Sequence, residues 1–319
     1  MGGYSYDRDV YSSSSSSSWG SSSVSDEKLS ASSLDKSMLP KKTIKSDAKN
    51  PIVIMLDVTG SNIDFAKIVY DKMPMFFGNI EQKGYLKDFE ISVCAVGDAN
   101  SDSYPLQISN FAKGKEIDSW LEKLVLEGCG GGQRMETYEL GAYYLLKNAE
   151  FRADAEPIVF FIADESPYPY LEKDHVENLI GGTFDKELIN TDSVFMALRK
   201  KCKGNVFTYL NKYSGREDDI KIVNDWNKIL KSEHLIKIGE EKAIVDLMLG
   251  TIALIGNRTL ESYKVDMLDR GQEYARISTV ASSLKGLSST MLPAIIVNKG
   301  LTNNFGVVNK TKKDDEQLL

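Results

Sequence analysis

The sequence predicts an α/β protein: a doubly wound, mostly parallel central sheet with helices on both faces. Two apolar runs of strand length, residues 52–56 and 157–163, carry no polar interruption. Such runs read as strands buried on both faces, which is what a parallel sheet between helices requires. Segments with helical spacing alternate with these runs, the pattern of βαβ units. Both runs also end on a carboxylate, Asp57 and Asp164. In an open α/β sheet the C-terminal edge of the strands is where ligands bind.

Taken in order, residues 1–49 read as a disordered tail, with an unbroken serine run at 12–18 and too little apolar surface to offset its ordering entropy. Residues 51–61, P-I-V-I-M-L-D-V-T-G-S, form the first strand and a turn into a helix at 63–77, whose apolar positions include Ile63, Ala66, Val69, Met73 and Phe76. A second strand spans 88–95 and runs into Gly97 and Asp98, a weaker edge strand spans 104–111, and a helix spans 116–126. Four glycines within residues 128–132 make a loop able to adopt unusual backbone conformations, leading into a helix from Thr137 to 149. After the strand at 157–163 comes a connection rich in Pro, Tyr and acids. Helices at 192–201, 218–230 and 240–254 then alternate with strands at 205–210 and 235–238. Residues 267–284 read as one more helix, 293–297 as a short apolar segment, and the charged end at 310–319 as frayed.

Composition narrows the function classes. The 319 residues carry a net charge of −7 with scattered Lys and Arg, so no basic face points to nucleic acid. Three cysteines without CxxC spacing argue against a disulfide framework or a zinc site and fit a reducing compartment. Two histidines, His175 and His234, read as packing or surface residues and leave His-based catalysis short of parts. Neither a secretory leader nor a membrane span is read, so the expectation is a soluble, cytoplasmic protein.

The candidate site gathers Asp57, Thr59 and Ser61 at the first strand end, Thr137 at a helix start, and Asp164 at a later strand end. In a doubly wound sheet these ends converge. The oxygen-only set favours Mg²⁺, Mn²⁺ or Ca²⁺ over zinc or copper. The plainer reading of Asp57 is a helix N-cap, but Asp, Thr and Ser together exceed what one helix start needs. Taken alone, Thr137 is a cap and Asp164 a turn residue; their weight comes from the set. Asp98 reads as a loop carboxylate, Cys129 as a small loop residue, and Tyr143 with Tyr144 as core.

The order strand–Asp57-Val58-Thr59-Gly60-Ser61–helix, glycine loop to Thr137, then strand–Asp164 resembles the von Willebrand factor A domain and its metal-ion-dependent adhesion site, D-x-[ST]-x-S with a distant Thr and a distant Asp. The resemblance covers residues 50–257, leaving 258–319 as a partly helical extension. It implies that Thr59, Ser61 and Thr137 touch the metal directly, while Asp57 and Asp164 act through water or hydrogen bonds. It implies an open coordination position that a partner protein's carboxylate fills, and an adaptor or scaffold role. Assemblies built around AAA+ ATPases are among those that intracellular members serve. The third element reads Ala163-Asp164-Glu165, where the family has Thr or Ser before the Asp and Gly after it. Glu165 is then an extra acid at the metal or a solvent-facing one, and Arg134 a clamp for the partner's carboxylate or a solvated loop cation.

Two other functions compete. A metal-dependent, phosphatase-like hydrolase would use Asp57 as nucleophile, but it needs a second acid where Thr59 stands. No phosphate-cradling P-loop or dinucleotide fingerprint follows the first strand, so the chain is not expected to be an enzyme. The other alternative is a surface scaffold in which the metal is purely structural.

Overall fold

The computed structural model describes residues 34–127, 134–211 and 217–291. Among these residues ten strands and nine α-helices follow in order. β1 (Ile44–Ser46), β2 (Asn50–Asp57), α1 (Ile63–Lys83), β3 (Phe89–Val96), β4 (Leu106–Ile108) and α2 (Lys115–Leu121) make the first half. β5 (Met135–Glu136), α3 (Tyr138–Asn148), β6 (Ala149–Phe151), β7 (Ile158–Ala163) and β8 (Ser166–Pro167) surround the middle. Then come α4 (Lys173–His175), α5 (Thr191–Lys201), β9 (Val206–Leu210), α6 (Glu217–Ile229), β10 (Leu235–Lys237), α7 (Ile244–Ile255), α8 (Leu260–Asp269) and α9 (Tyr274–Met291).

The central sheet has six strands in the order β10-β9-β7-β2-β3-β4. All neighbours are parallel except β4, which runs antiparallel at the edge. The strand order reverses between β2 and β7, the switch point at which doubly wound sheets open a crevice. Every residue of β2 and β7 is buried. Alternate side chains of β2 serve opposite layers, as the two-residue period of a strand demands. Ile52, Ile54 and Leu56 pack with α1, α7, α8 and α9, whereas Val53 and Met55 pack with α3, α5 and α6.

Several boundaries differ from the sequence expectation for physical reasons. The helix expected at 63–77 runs on to Lys83 and stops where Gly84 takes a left-handed conformation, φ 62°. α2 ends at Leu121 because the chain turns to meet Gln107. That side-chain amide donates to the Val125 carbonyl at 2.8 Å and accepts from the Val125 N–H at 2.9 Å, imitating a strand partner. The single helix expected at 267–284 is two, broken at Gly271 with φ 73°. Residues 44–46, read as tail, form β1 and pair in parallel with β6.

α8 and α9 close the lower layer. Tyr263, Met267, Val280 and Leu284 are fully buried against α1 and α7. Gly250 on α7 lets them approach, because a Cβ there would lie 2.4 Å from Leu284 Cδ1 and 2.7 Å from Tyr263 Cε1. Between α7 and α8, Arg270 Nη2 donates to Asp246 Oδ1 at 2.7 Å, with the two side chains 10% and 2% exposed. The Tyr263 hydroxyl donates to the Asp246 carbonyl. The residues expected at 293–297 and 310–319, the serine run and Cys129 lie outside the described residues. No helix among the described residues is long and apolar enough to cross a membrane.

Candidate metal centre

Asp57 closes β2 and is wholly buried. Its Oδ1 accepts from the Thr59 N–H at 2.8 Å and from Thr59 Oγ1 at 2.7 Å, which folds the chain out of the sheet and fixes the hydroxyl. One 3₁₀ turn at Gly60–Asn62 then presents Ser61, whose Oγ donates to Asp164 Oδ2 at 2.7 Å. Thr59 Oγ1 and Ser61 Oγ lie 3.4 Å apart. Four of the five residues expected from sequence therefore form one linked cluster at the switch point.

Thr137 is brought to the same edge but its hydroxyl is committed elsewhere. It stands immediately before α3 without capping the helix through its side chain. Instead its Oγ1 donates to the Gly97 carbonyl at 2.5 Å and accepts from the Ala99 N–H at 3.3 Å, holding the loop after β3.

Tyr138, which sequence reasoning passed over, ties the two central strands together. Its hydroxyl donates to Asp57 Oδ2 and accepts from the Asp164 N–H at 3.4 Å. An aromatic in the first turn of an amphipathic helix reads as core, and only the crossing of α3 over β2 and β7 gives its hydroxyl this use. Glu136 was passed over as well. Its pairing partner in the β5–β8 register is Pro167, which brings it beside the exit of β7.

Among charged groups, Asp57 and Glu136 are acted on most strongly by other acids. Burial pushes the Asp57 carboxyl well above its usual range, and the neighbouring Asp164 pushes it further, against the hydrogen bonds from Tyr138 and Thr59. Glu136 is pushed up to about 10, first by burial and then by Asp57, Asp98, Asp102 and Asp164. The charges acting most strongly on Glu136 are thus all acidic. Asp98 is buried within its own loop, its N–H donating to Asp102 Oδ2 at 2.7 Å and its Oδ1 accepting from Tyr168 at 3.2 Å. Glu165 is half-buried, and Arg134 is exposed on a left-handed backbone, φ 56°. His234 stacks on Phe207 with ring centroids 4.7 Å apart, a packing role.

These residues fit a hard divalent cation. Among the described residues no three His, Cys, Asp or Glu side chains stand at metal-ligand spacing, so the set depends on hydroxyls joined to two carboxylates. The hydroxyl protons of Thr59 and Ser61 are spent on Asp57 and Asp164, which leaves oxygen lone pairs as the donors a cation would use. Buried acids without a base among their strongest neighbours are what a +2 charge would relieve.

No protein-family model matches the chain, and no curated protein matches it in sequence. Solved structures do resemble it. The pilus adhesin SpaC from Lactobacillus rhamnosus GG, in its open conformation, is 12% identical with a TM-score of 0.44, over 67% of this chain and 31% of that one. Proximal thread matrix protein 1 from the mussel byssus, with a zinc-occupied MIDAS motif, is 13% identical with a TM-score of 0.42, over 66% of this chain and 48% of that one. The chain therefore spans about a third to a half of the length of these structures.

Proposed function

We propose that the chain is a von Willebrand factor A-like protein-binding module that coordinates a divalent cation, Mg²⁺ or its relatives Mn²⁺ and Ca²⁺, and recruits a partner protein through an acidic residue. The observation that carries this reading is the linked cluster Asp57–Thr59–Ser61–Asp164 at the switch point of the sheet. A cation bound there supplies positive charge and an open position for an anionic oxygen. Asp57 orients Thr59, Asp164 orients Ser61, and the Tyr138 hydroxyl ties the Asp57 carboxylate to the main-chain N–H of Asp164. Ser61 is exposed, so the cluster opens to a partner. On this reading the chain binds rather than turns over a substrate, and it serves as an intracellular adaptor or scaffold, with AAA+ ATPase assemblies as one partner class.

The test is affinity capture from native lysate by the full chain with Mg²⁺, with EDTA, and with Ser61→Ala or Asp57→Ala. The expected result is a partner captured only by the wild type in Mg²⁺. Capture that persists through chelation and both substitutions would sink the proposal, and a metal-dependent melting temperature beside it would assign the ion to stability alone.

A further inference from the structure

We propose that a basic cleft at the far end of α3 binds a phosphate monoester carried on a serine side chain of a peptide. The cleft lies apart from the candidate metal centre and owes nothing to the cation reading.

The start of α3 carries Tyr138 to the metal centre, and Lys147 reaches the cleft nine residues later, about 14 Å along the axis at about 1.5 Å per residue. The cleft has a volume of about 560 Å³ between residues 41–43, the second half of α3 and the loop at 180–183. Among the described residues that line it, three are lysines and none is an acid, in a chain whose net charge is −7. Asp185, just beyond that loop, pairs with Lys147 at 2.7 Å, but the two side chains are 34% and 39% exposed. A pair so exposed holds weakly, so Lys147 can turn to a second anion.

Several donors stand ready. Lys41 is exposed and has no hydrogen-bond or ion-pair partner among the described residues. The hydroxyls of Thr43 and Thr183 and the N–H of Gly182 are likewise uncommitted there. Gly181 and Gly182 have φ of 86° and 87°, so this wall of the cleft is bare main chain in a conformation that glycine allows. Lys42 lines the cleft too, but its ammonium donates to the Ser37 carbonyl and lies 5.3 Å from the centroid of the Trp120 ring. It adds charge rather than a donor. The free carbonyls at the end of a helix repel anions, yet Lys201 covers these: its Nζ donates to the carbonyls of Leu145, Leu146 and Ala149 at 2.9, 2.7 and 2.5 Å.

Two ammonium groups beside hydroxyl and N–H donors match the charge and the three acceptor oxygens of a phosphate monoester. A cleft this much larger than the roughly 30 Å³ share of one water leaves room for the residue that carries the phosphate. The chain itself holds a source of that chemistry, in serines unbroken at 12–18 and again at 21–23. Ser18 precedes Leu34, the first described residue, by sixteen positions, which reach at most about 55 Å, and the cleft wall begins seven positions further on at Lys41. A phosphoserine of another protein presents the same chemistry.

The experiment follows the fluorescence anisotropy of a labelled peptide of residues 10–24, phosphorylated at Ser15, as the full chain is added. The wild type should bind it at least about tenfold more tightly than the unphosphorylated peptide, and rising salt should shrink the difference. Lys41→Gln with Lys147→Gln should remove most of that preference. Lys45→Gln, which changes a 63% exposed lysine of β1 outside the cleft, should keep it. Thr183→Ala, an exposed loop change, should weaken phosphopeptide binding several-fold, and melting curves of every variant check that the fold is intact. Equal binding of the two peptides, or an equal loss in Lys45→Gln, overturns the proposal. So does displacement of the peptide by equimolar inorganic phosphate, which would mean an adventitious ion only. A full chain carrying phosphoserine at position 15 separates the sources. Weaker uptake of added peptide than by the wild type assigns the cleft to the chain's own serine run, and unchanged uptake assigns it to a phosphoserine of another protein.

Discussion

Two buried carboxylates, Asp57 above the sheet edge and Asp246 under the opposite layer, show how differently one chain can treat the same group. Each is almost wholly buried, 0% and 2% exposed, and burial pushes both above their usual range. For Asp246 the opposing influences are cations: Arg270 first, then Lys72 and Arg276. For Asp57 the next influence is another acid, Asp164. The first site carries its own positive charge and is closed by Tyr263 and the fold of α8. At the second, Asp57 is bonded by the hydroxyls of Thr59 and Tyr138, and the charge acting on it is another acid. The difference is the one expected between a structural ion pair and the cation site proposed above.

The largest effect expected from breaking this comparison lies at the closed site. Asp246→Ala strands a buried guanidinium and should cost about 3–5 kcal/mol in denaturant unfolding, with or without divalent cation. Should added Mg²⁺ rescue that variant, the two sites would not be independent. At the open site the cation itself should stabilise the fold, by about 2.7 kcal/mol at a hundredfold excess over its dissociation constant. Melting curves of the wild type and Asp164→Asn should show that gain in the first and not in the second.

The acid cluster also predicts a pH dependence. Glu136 holds its proton to about 10 in the fold, against an ordinary value of 4.5. Between those values the metal-free folded state binds more protons than the unfolded chain, so stability falls as pH rises across the window. Asp57, also raised, contributes with the same sign. In EDTA the melting temperature should decline from mildly acidic to alkaline pH, and Glu136→Gln should flatten the decline; a melting temperature that rises over that range would contradict the raised proton affinity of these two acids. The smallest effect belongs to Ser61→Ala, an exposed change expected within about 0.5 kcal/mol of wild type without metal. With metal its deficit should widen, and an equal deficit in both conditions would place Ser61 outside the site.

Much of this was readable from the sequence because it is local. The uninterrupted runs at β2 and β7, each ending on an acid, announce buried parallel strands and carry Asp57 and Asp164 with them. The D-x-T-x-S spacing puts Thr59 and Ser61 within reach of those acids across one turn. What escaped is non-local. Nothing near Glu136 in sequence announces the β5–β8 pairing, and Tyr138 gains its polar role only where α3 crosses two strands. Thr137 showed the right residue type in the right order, yet its hydroxyl was claimed by the loop at Gly97 and Ala99. The packing of α8 and α9 depends on Gly250 and on the Asp246–Arg270 pair, whose members lie 24 positions apart.

The most direct test of the account is calorimetric titration of the full chain with divalent cation, wild type beside Asp164→Asn. Saturable uptake of about one ion per chain is expected in the wild type, reversed by EDTA and lost in the variant. Absence of saturable uptake at millimolar cation, or identical uptake by both proteins, would contradict it.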